Sequence, residues 1–257
     1  MDLKLKDQLF IVTGASSGFG KEITLALAGE KAKIVAVARR SELLGKMAGE
    51  YTGIEPFPGD IMNSDTINSL KEFIGNRPLK GILVNAAGPP TGSFLETEME
   101  DWDKAYHSIL RWKIELTKTF LPLFLEQKYG RLVYIESMAT KQPVPNLVLS
   151  TSLRLAVTGF VKTLSDEVGK SGITANLMAP GYHLTPAVDR VIRKQGEVKG
   201  ISFEEAKKMI EDDIPVGKAG DPRSFASLAV WLLSPWSEYI TGQTISVDGG
   251  VIRGIMG

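Results

Sequence analysis

LFIVTGASSGFG, residues 9–20, runs from an apolar segment into a glycine-rich turn, and a helical pattern follows over 21–29. Strand, turn and helix in that order form the opening of a mononucleotide-binding βαβ unit. In that reading Gly14 allows the tight turn out of the strand. Gly18 lets the backbone approach a pyrophosphate, and Gly20 lets the helix pack closely on the sheet. The helix N-terminus offers free N–H groups and the positive end of its dipole to the phosphates. Ser16 adds a hydroxyl to the same loop. The spacing is G-x-x-x-G-x-G rather than G-x-G-x-x-G, and a plain βα turn is the alternative, so the remainder of the chain has to decide.

Further strand-like runs fall at 33–37, 54–57, 81–84, 131–135, 173–178 and 244–247. Helical patterns fill the gaps at 41–48, 64–74, 102–126, 150–168 and 222–233. Alternating β and α with apolar strands predicts a parallel sheet covered on both faces. The expected fold is therefore α/β: one Rossmann-type, doubly wound domain over residues 1–257 with a seven-stranded parallel sheet. The least regular region, 185–217, is charged and reads as a surface excursion with one helix at 203–212. The helices at 102–126 and 150–168 carry apolar residues on more than one stripe, which fits either a doubly covered core or a subunit interface.

Composition narrows the function. Of the 257 residues 43% are hydrophobic, and 30 basic residues balance 30 acidic ones. Nothing in that balance asks for nucleic acid or an anionic membrane as a partner. The absence of cysteine excludes thiolate nucleophiles, disulfides and Cys-ligated metals, and the two histidines, His107 and His183, are too few for a His-rich metal site. No run reaches the ~18 apolar residues of a membrane span. A cytoplasmic protein with no metal is the expectation.

In combination and in order, these residues resemble the short-chain dehydrogenase/reductase family over nearly the whole chain, and most closely its 3-oxoacyl-[acyl-carrier-protein] reductase-like branch. Thr13 to Gly20 matches the T-G-x-x-x-G-x-G loop. Asp60, with Ile61, resembles the acidic site after the third strand that contacts adenine. Asn85-Ala86-Ala87-Gly88 resembles the family's N-N-A-G with one change. Pro180-Gly181 with Thr185 resembles the P-G-x-x-x-T segment that cups the nicotinamide. Ile240 to Gln243 and Val247 to Gly250 resemble the C-terminal signature. The resemblance implies a dinucleotide cofactor, a small carbonyl or alcohol substrate, a homodimer or homotetramer, and a substrate lid at 185–217.

The catalytic set departs from the family. Ser137 stands where the resemblance places the catalytic serine. The tyrosine expected thirteen residues later is Ser150, and the lysine four beyond it is Arg154. The supporting asparagine falls on Ile109. A phenol pKa of ~10 can be tuned toward neutrality by an adjacent cation; a serine hydroxyl is a far weaker acid. Arginine stays protonated and supplies field and hydrogen bonds but no proton transfer. Its planar fork suits ribose hydroxyls or a substrate carboxylate. Ser150 and Arg154 are i and i+4, so they should share a helix face. His183 has the pKa class for proton transfer and is the alternative acid, with an ordinary loop role as the competing reading. Glu136 neighbours Ser137 but alternates with it along the strand, and is expected to point elsewhere.

The second strand ends Ala38-Arg39-Arg40, with no carboxylate for a ribose 2′-hydroxyl. Two guanidinium groups there favour the 2′-phosphate of NADP(H), with NAD(H) possible. Two functions stay open: an NADP(H)-leaning oxidoreductase with an altered constellation, or a non-catalytic dinucleotide-binding sensor or scaffold.

Overall fold

A computed structural model describes residues 1–255. Its strands are β1 (Leu9–Thr13), β2 (Lys33–Ala38), β3 (Ile54–Pro58), β4 (Leu79–Val84), β5 (Gly130–Ile135), β6 (Ile173–Pro180) and β7 (Thr244–Val247). They form one seven-stranded sheet in the order β3-β2-β1-β4-β5-β6-β7, and every neighbouring pair is parallel. Chain order reverses between β1 and β4, which makes the carboxyl ends of those strands the topological switch point.

Period-two alternation divides the core into two layers. Leu9 and Ile11 of β1 face one layer, where they meet α3 (Ser64–Ile74), α5 (Trp112–Gln127) and α6 (Val148–Val168). Phe10 and Val12 face the other, against α1 (Gly18–Gly29), α2 (Ser41–Glu50) and α9 (Pro222–Leu233). The inner strands are buried throughout because helices cover both sides, so they read as continuous apolar runs rather than as polar–apolar alternation. No described helix is long and apolar enough to cross a membrane.

Two expectations are corrected. The segment 102–126 is not one uniform helix. It opens with α4 (Met99–Ala105), passes through a π-helical stretch at Tyr106–Arg111, and continues as α5. The region 185–217 is more regular than its polarity suggests. It contains α7 (Pro186–Lys199) as well as α8 (Phe203–Asp212), packed together around Ile192, Ala206, Ile210 and Ile214. The start of α7 is written locally: Thr185 accepts from the Val188 N–H as N-cap, and Pro186 occupies the first turn. High charge hid that helix, because few apolar residues mark its buried stripe.

Candidate active site

Thr13 ties together the two strands at the switch point. Its Oγ1 donates to the Asn85 carbonyl at 2.7 Å and accepts from the Asn85 N–H at 2.7 Å. This joins the end of β1 to the end of β4 and holds Asn85 beside the glycine turn. Gly14 has φ +65°, and a Cβ there would stand 2.8 Å from the Asn85 amide nitrogen. At Gly20 a Cβ would lie 2.2 Å from the Gly14 carbonyl oxygen. Glycine is therefore required at 20 by the turn folding back on the helix start, a tighter constraint than helix-to-sheet packing alone.

The remaining loops converge on this turn. Thr185 approaches Gly18, so a Cβ on that glycine would touch its side chain at 3.9 Å. Arg40 reaches back from the end of β2 and donates to Ser16 Oγ through Nε at 3.1 Å and Nη2 at 2.9 Å. Arg39 stands 4.0 Å from Asp60, and both are exposed. Asp60 Oδ1 accepts from the Met62 N–H, while the Ile61 side chain enters the core beside α3. Gly181 lies against Asp248 of the C-terminal segment, and the Gly181 N–H donates to the Val247 carbonyl, closing the far wall. Anion-accepting backbone, two guanidinium groups and a turn with no room for a Cβ at Gly14 or Gly20 make a crevice of the kind a dinucleotide fills.

A second cluster of polar side chains is built on α5, β5 and α6. Ser137 follows β5; its Oγ accepts from the Ala139 N–H and caps a short 3₁₀ turn. Ser150 and Arg154 share a face of α6 as expected, and Arg154 Nε donates to Ser150 Oγ at 2.9 Å. Arg154 Nη1 donates to Glu136 Oε2 at 2.7 Å. The other carboxylate oxygen, Oε1, accepts from Lys113 Nζ. Glu136 therefore does not point away from the site. It continues the alternation of β5 on the Tyr134 side, and that side is the layer beneath α5 and α6. Its side chain is 0% exposed, with Lys113 at 4% and Arg154 at 11%.

Burial pushes the Lys113 pKa down and the Arg154 charge adds to that, while the Glu136 carboxylate opposes it. Ile109, at the position of the absent asparagine, lies in the π-helical stretch one turn before Lys113. Lys113 is the residue the sequence reading missed. The available signal was a cation one turn beyond Ile109, between the apolar residues Trp112 and Ile114. Tyr134 is a core residue: its hydroxyl hydrogen-bonds Thr117 at 2.7 Å, and burial holds the phenol far above its usual pKa.

His183 does not join this cluster. It packs edge-on against Phe19 of α1 and Phe225 of α9, with ring centroids 5.1 and 5.3 Å away, on the opposite side of the sheet from α6. A Cβ on Gly220 would lie 2.6 Å from its ring. The aromatic slot gives this histidine a packing role, which fits the ordinary loop reading rather than an acid at Ser150. Burial lowers its pKa below the ordinary 6.5. The folded state then binds fewer protons than the unfolded chain as the pH falls through about 6.5, so stability drops with acidification in that window. Urea unfolding at about pH 7 and about pH 5 should show this loss in the wild type and less of it in His183→Gln; equal losses would remove His183 as its source.

Comparison with known proteins agrees with this architecture. A family model described as enoyl-(acyl carrier protein) reductase matches residues 14–252. A 3-oxoacyl-[acyl-carrier-protein] reductase of Thermotoga maritima is 28% identical over 97% of this chain and 100% of its own length. A 3-oxoacyl-[acyl-carrier-protein] reductase of Synechocystis is 30% identical over 96% of this chain and 98% of its own. Dehydrogenase/reductase SDR family member 6 of Aquarana catesbeiana is 31% identical over 96% of this chain and 98% of its own. Among solved structures, an actinorhodin polyketide ketoreductase variant with NADPH superposes with TM-score 0.91 at 28% identity, covering 96% of this chain and 98% of that one. The L-sorbose reductase of Gluconobacter frateurii shares the fold with TM-score 0.93 at 23% identity, covering 99% of this chain and 100% of that one.

Proposed function

The chain belongs to the short-chain dehydrogenase/reductase family, and on that premise we propose that it is an NADP(H)-leaning oxidoreductase for a small carbonyl or alcohol substrate, working through an altered constellation. The observation that carries this reading is the junction of two built parts. One is a glycine cradle flanked by Arg39, Arg40 and Ser16; the other is a Ser150–Arg154–Glu136–Lys113 cluster beside it. Several relatives are reductases, and the ketoreductase neighbour holds NADPH, which supports the same choice of cofactor.

When bound, the cofactor supplies or accepts a hydride. Gly14, Gly18 and Gly20 and the start of α1 would receive its pyrophosphate, with Arg39 and Arg40 taking the 2′-phosphate. Asp60 and the Ile61 backbone would border the adenine. Asn85, Ala86 and Gly88, with Pro180, Gly181 and Thr185, would frame the nicotinamide half. Ser150 Oγ accepts from Arg154, so its own hydrogen is free for a substrate oxygen, and Ser137 stands as the second hydroxyl. The fixed guanidinium favours negative charge developing on that oxygen. Arginine cannot release a proton at neutral pH, and His183 lies across the sheet, so the proton would come from water. Helices α7 and α8 would form the lid. Half-exposed Tyr106 and Leu155, on the π-helical stretch and α6, support self-association through that face.

Titration with NADPH and NADH, followed by mixing the NADPH complex with a panel of ketones and 3-oxoacyl thioesters, tests the reading. Selective NADPH binding with loss of reduced-nicotinamide absorbance supports it. Selective binding with no oxidation on any carbonyl favours the second reading, a dinucleotide sensor, for which the observation is the absence of the phenol acid. In the reductase reading, Ser150→Tyr with Arg154→Lys should raise turnover by at least about tenfold, because a tunable acid returns to the face. No gain would show that Glu136 and Lys113 set the chemistry as well.

A further inference from the structure

Lys113 carries a charge into the layer between α5 and β5, where its ammonium meets the Glu136 carboxylate. At 4% side-chain exposure it does not reach the crevice, so anything it does for the site is done through Glu136. That carboxylate has two oxygens and two cationic partners, Lys113 on Oε1 and Arg154 on Oε2. The Arg154 guanidinium is planar and presents its donors in a rigid fork. Nη1 is committed to Glu136 and Nε to Ser150. Among the described residues Nη2 makes no hydrogen bond. It lies against the Asn85–Gly88 loop, where a Cβ on Gly88 would stand 2.9 Å from it.

We propose that the buried Lys113–Glu136 pair is a positioning device that holds the Arg154 fork with its free edge toward the Gly88 loop, for the ribose of the cofactor's nicotinamide half. The proposal rests on the dinucleotide reading above. A flexible arginine at 154 would sample many rotamers, and a carboxylate answering to Arg154 alone could follow it. Lys113 anchors the opposite oxygen from a different helix, which fixes the carboxylate and through it the guanidinium plane. Lys113 and Glu136 are thus positioning residues, and Arg154 is the group that touches the ligand. The arrangement also accounts for the glycine at 88: any side chain there would meet Nη2.

The test compares two ligands on wild type, Glu136→Gln and the charge-balanced Lys113→Met/Glu136→Leu. NADPH contains the nicotinamide ribose; 2′,5′-ADP carries the adenosine phosphates without it. Glutamine keeps the volume of residue 136 but offers its oxygen to one cation only. Both variants should lose about tenfold or more in NADPH affinity while 2′,5′-ADP affinity stays within about twofold, a split that general destabilisation would not produce. Variants that bind NADPH like the wild type overturn the proposal and leave the dinucleotide reading intact. Variants that lose both ligands alike, or do not fold, make the pair a folding element and also overturn it. A wild type that binds neither ligand overturns the dinucleotide reading, and this proposal with it.

Discussion

Replacing Glu136 by leucine should destabilise the fold by about 3–5 kcal/mol, because removing one member of a buried ion cluster leaves the others uncompensated. Lys113 and Arg154 would then face each other in a layer where Glu136 is now wholly enclosed. For a domain of this size that penalty corresponds to a fall in Tm of about 6–20 °C. The loss should depend on pH. Without its carboxylate, Lys113 has a folded-state pKa still further below the ordinary 10.5. The folded variant then releases that proton at lower pH than the unfolded chain does, so stability recovers as the pH rises toward about 10. Adding Lys113→Met should restore most of the loss, since an apolar pair of similar volume avoids the desolvation cost altogether. Thermal unfolding of the single and double variants at two pH values decides the matter. A single variant melting within about 2 °C of the wild type would mean that the cluster is hydrated and its charges cheap.

The second large effect concerns the cofactor's far end. Arg39→Ala with Arg40→Ala should weaken NADPH by about 100-fold or more while NADH changes by less than about threefold, because each hydrogen bond to a charged group contributes about 1.5–3 kcal/mol. Arg40 already rests on Ser16, so its guanidinium is held over the glycine turn rather than free in solvent. Arg39 has only Asp60 at 4.0 Å, so most of the selectivity should follow Arg40. Raising the salt concentration should erode the NADPH preference of the wild type more than its NADH affinity. Equal losses for the two nucleotides would show that the arginines border the adenine and do not read the 2′-phosphate.

Much of this molecule is written locally. The run Leu9–Thr13 followed by glycine turn and helix, and the strand–helix alternation after it, determined the sheet, its parallel sense and its two covered faces. Short-range rules suffice there, since period two, period 3.6 and turn chemistry act over a few residues. The pairing of Ser150 with Arg154 was legible for the same reason, because i and i+4 share a helix face. Helix α7 escaped notice because charged residues dominate a segment whose apolar stripe is short.

The sense of Glu136 and the setting of His183 were decided only by tertiary structure. Glu136 lies 23 residues from Lys113 and 18 from Arg154, just past the end of a strand between two helices, and no local pattern records which face of that strand the two helices cover. For His183 the loop sequence left an acid and an ordinary loop role open, and only the fold shows that Phe19 and Phe225 pack against its ring. The sequence by itself determined a dinucleotide-type fold and the placing of Ser150 and Arg154 on one helix face. Which charges gather around Arg154 depended on where α5, β5 and α6 meet, because a buried ion is tolerated only where another element brings its counter-ion.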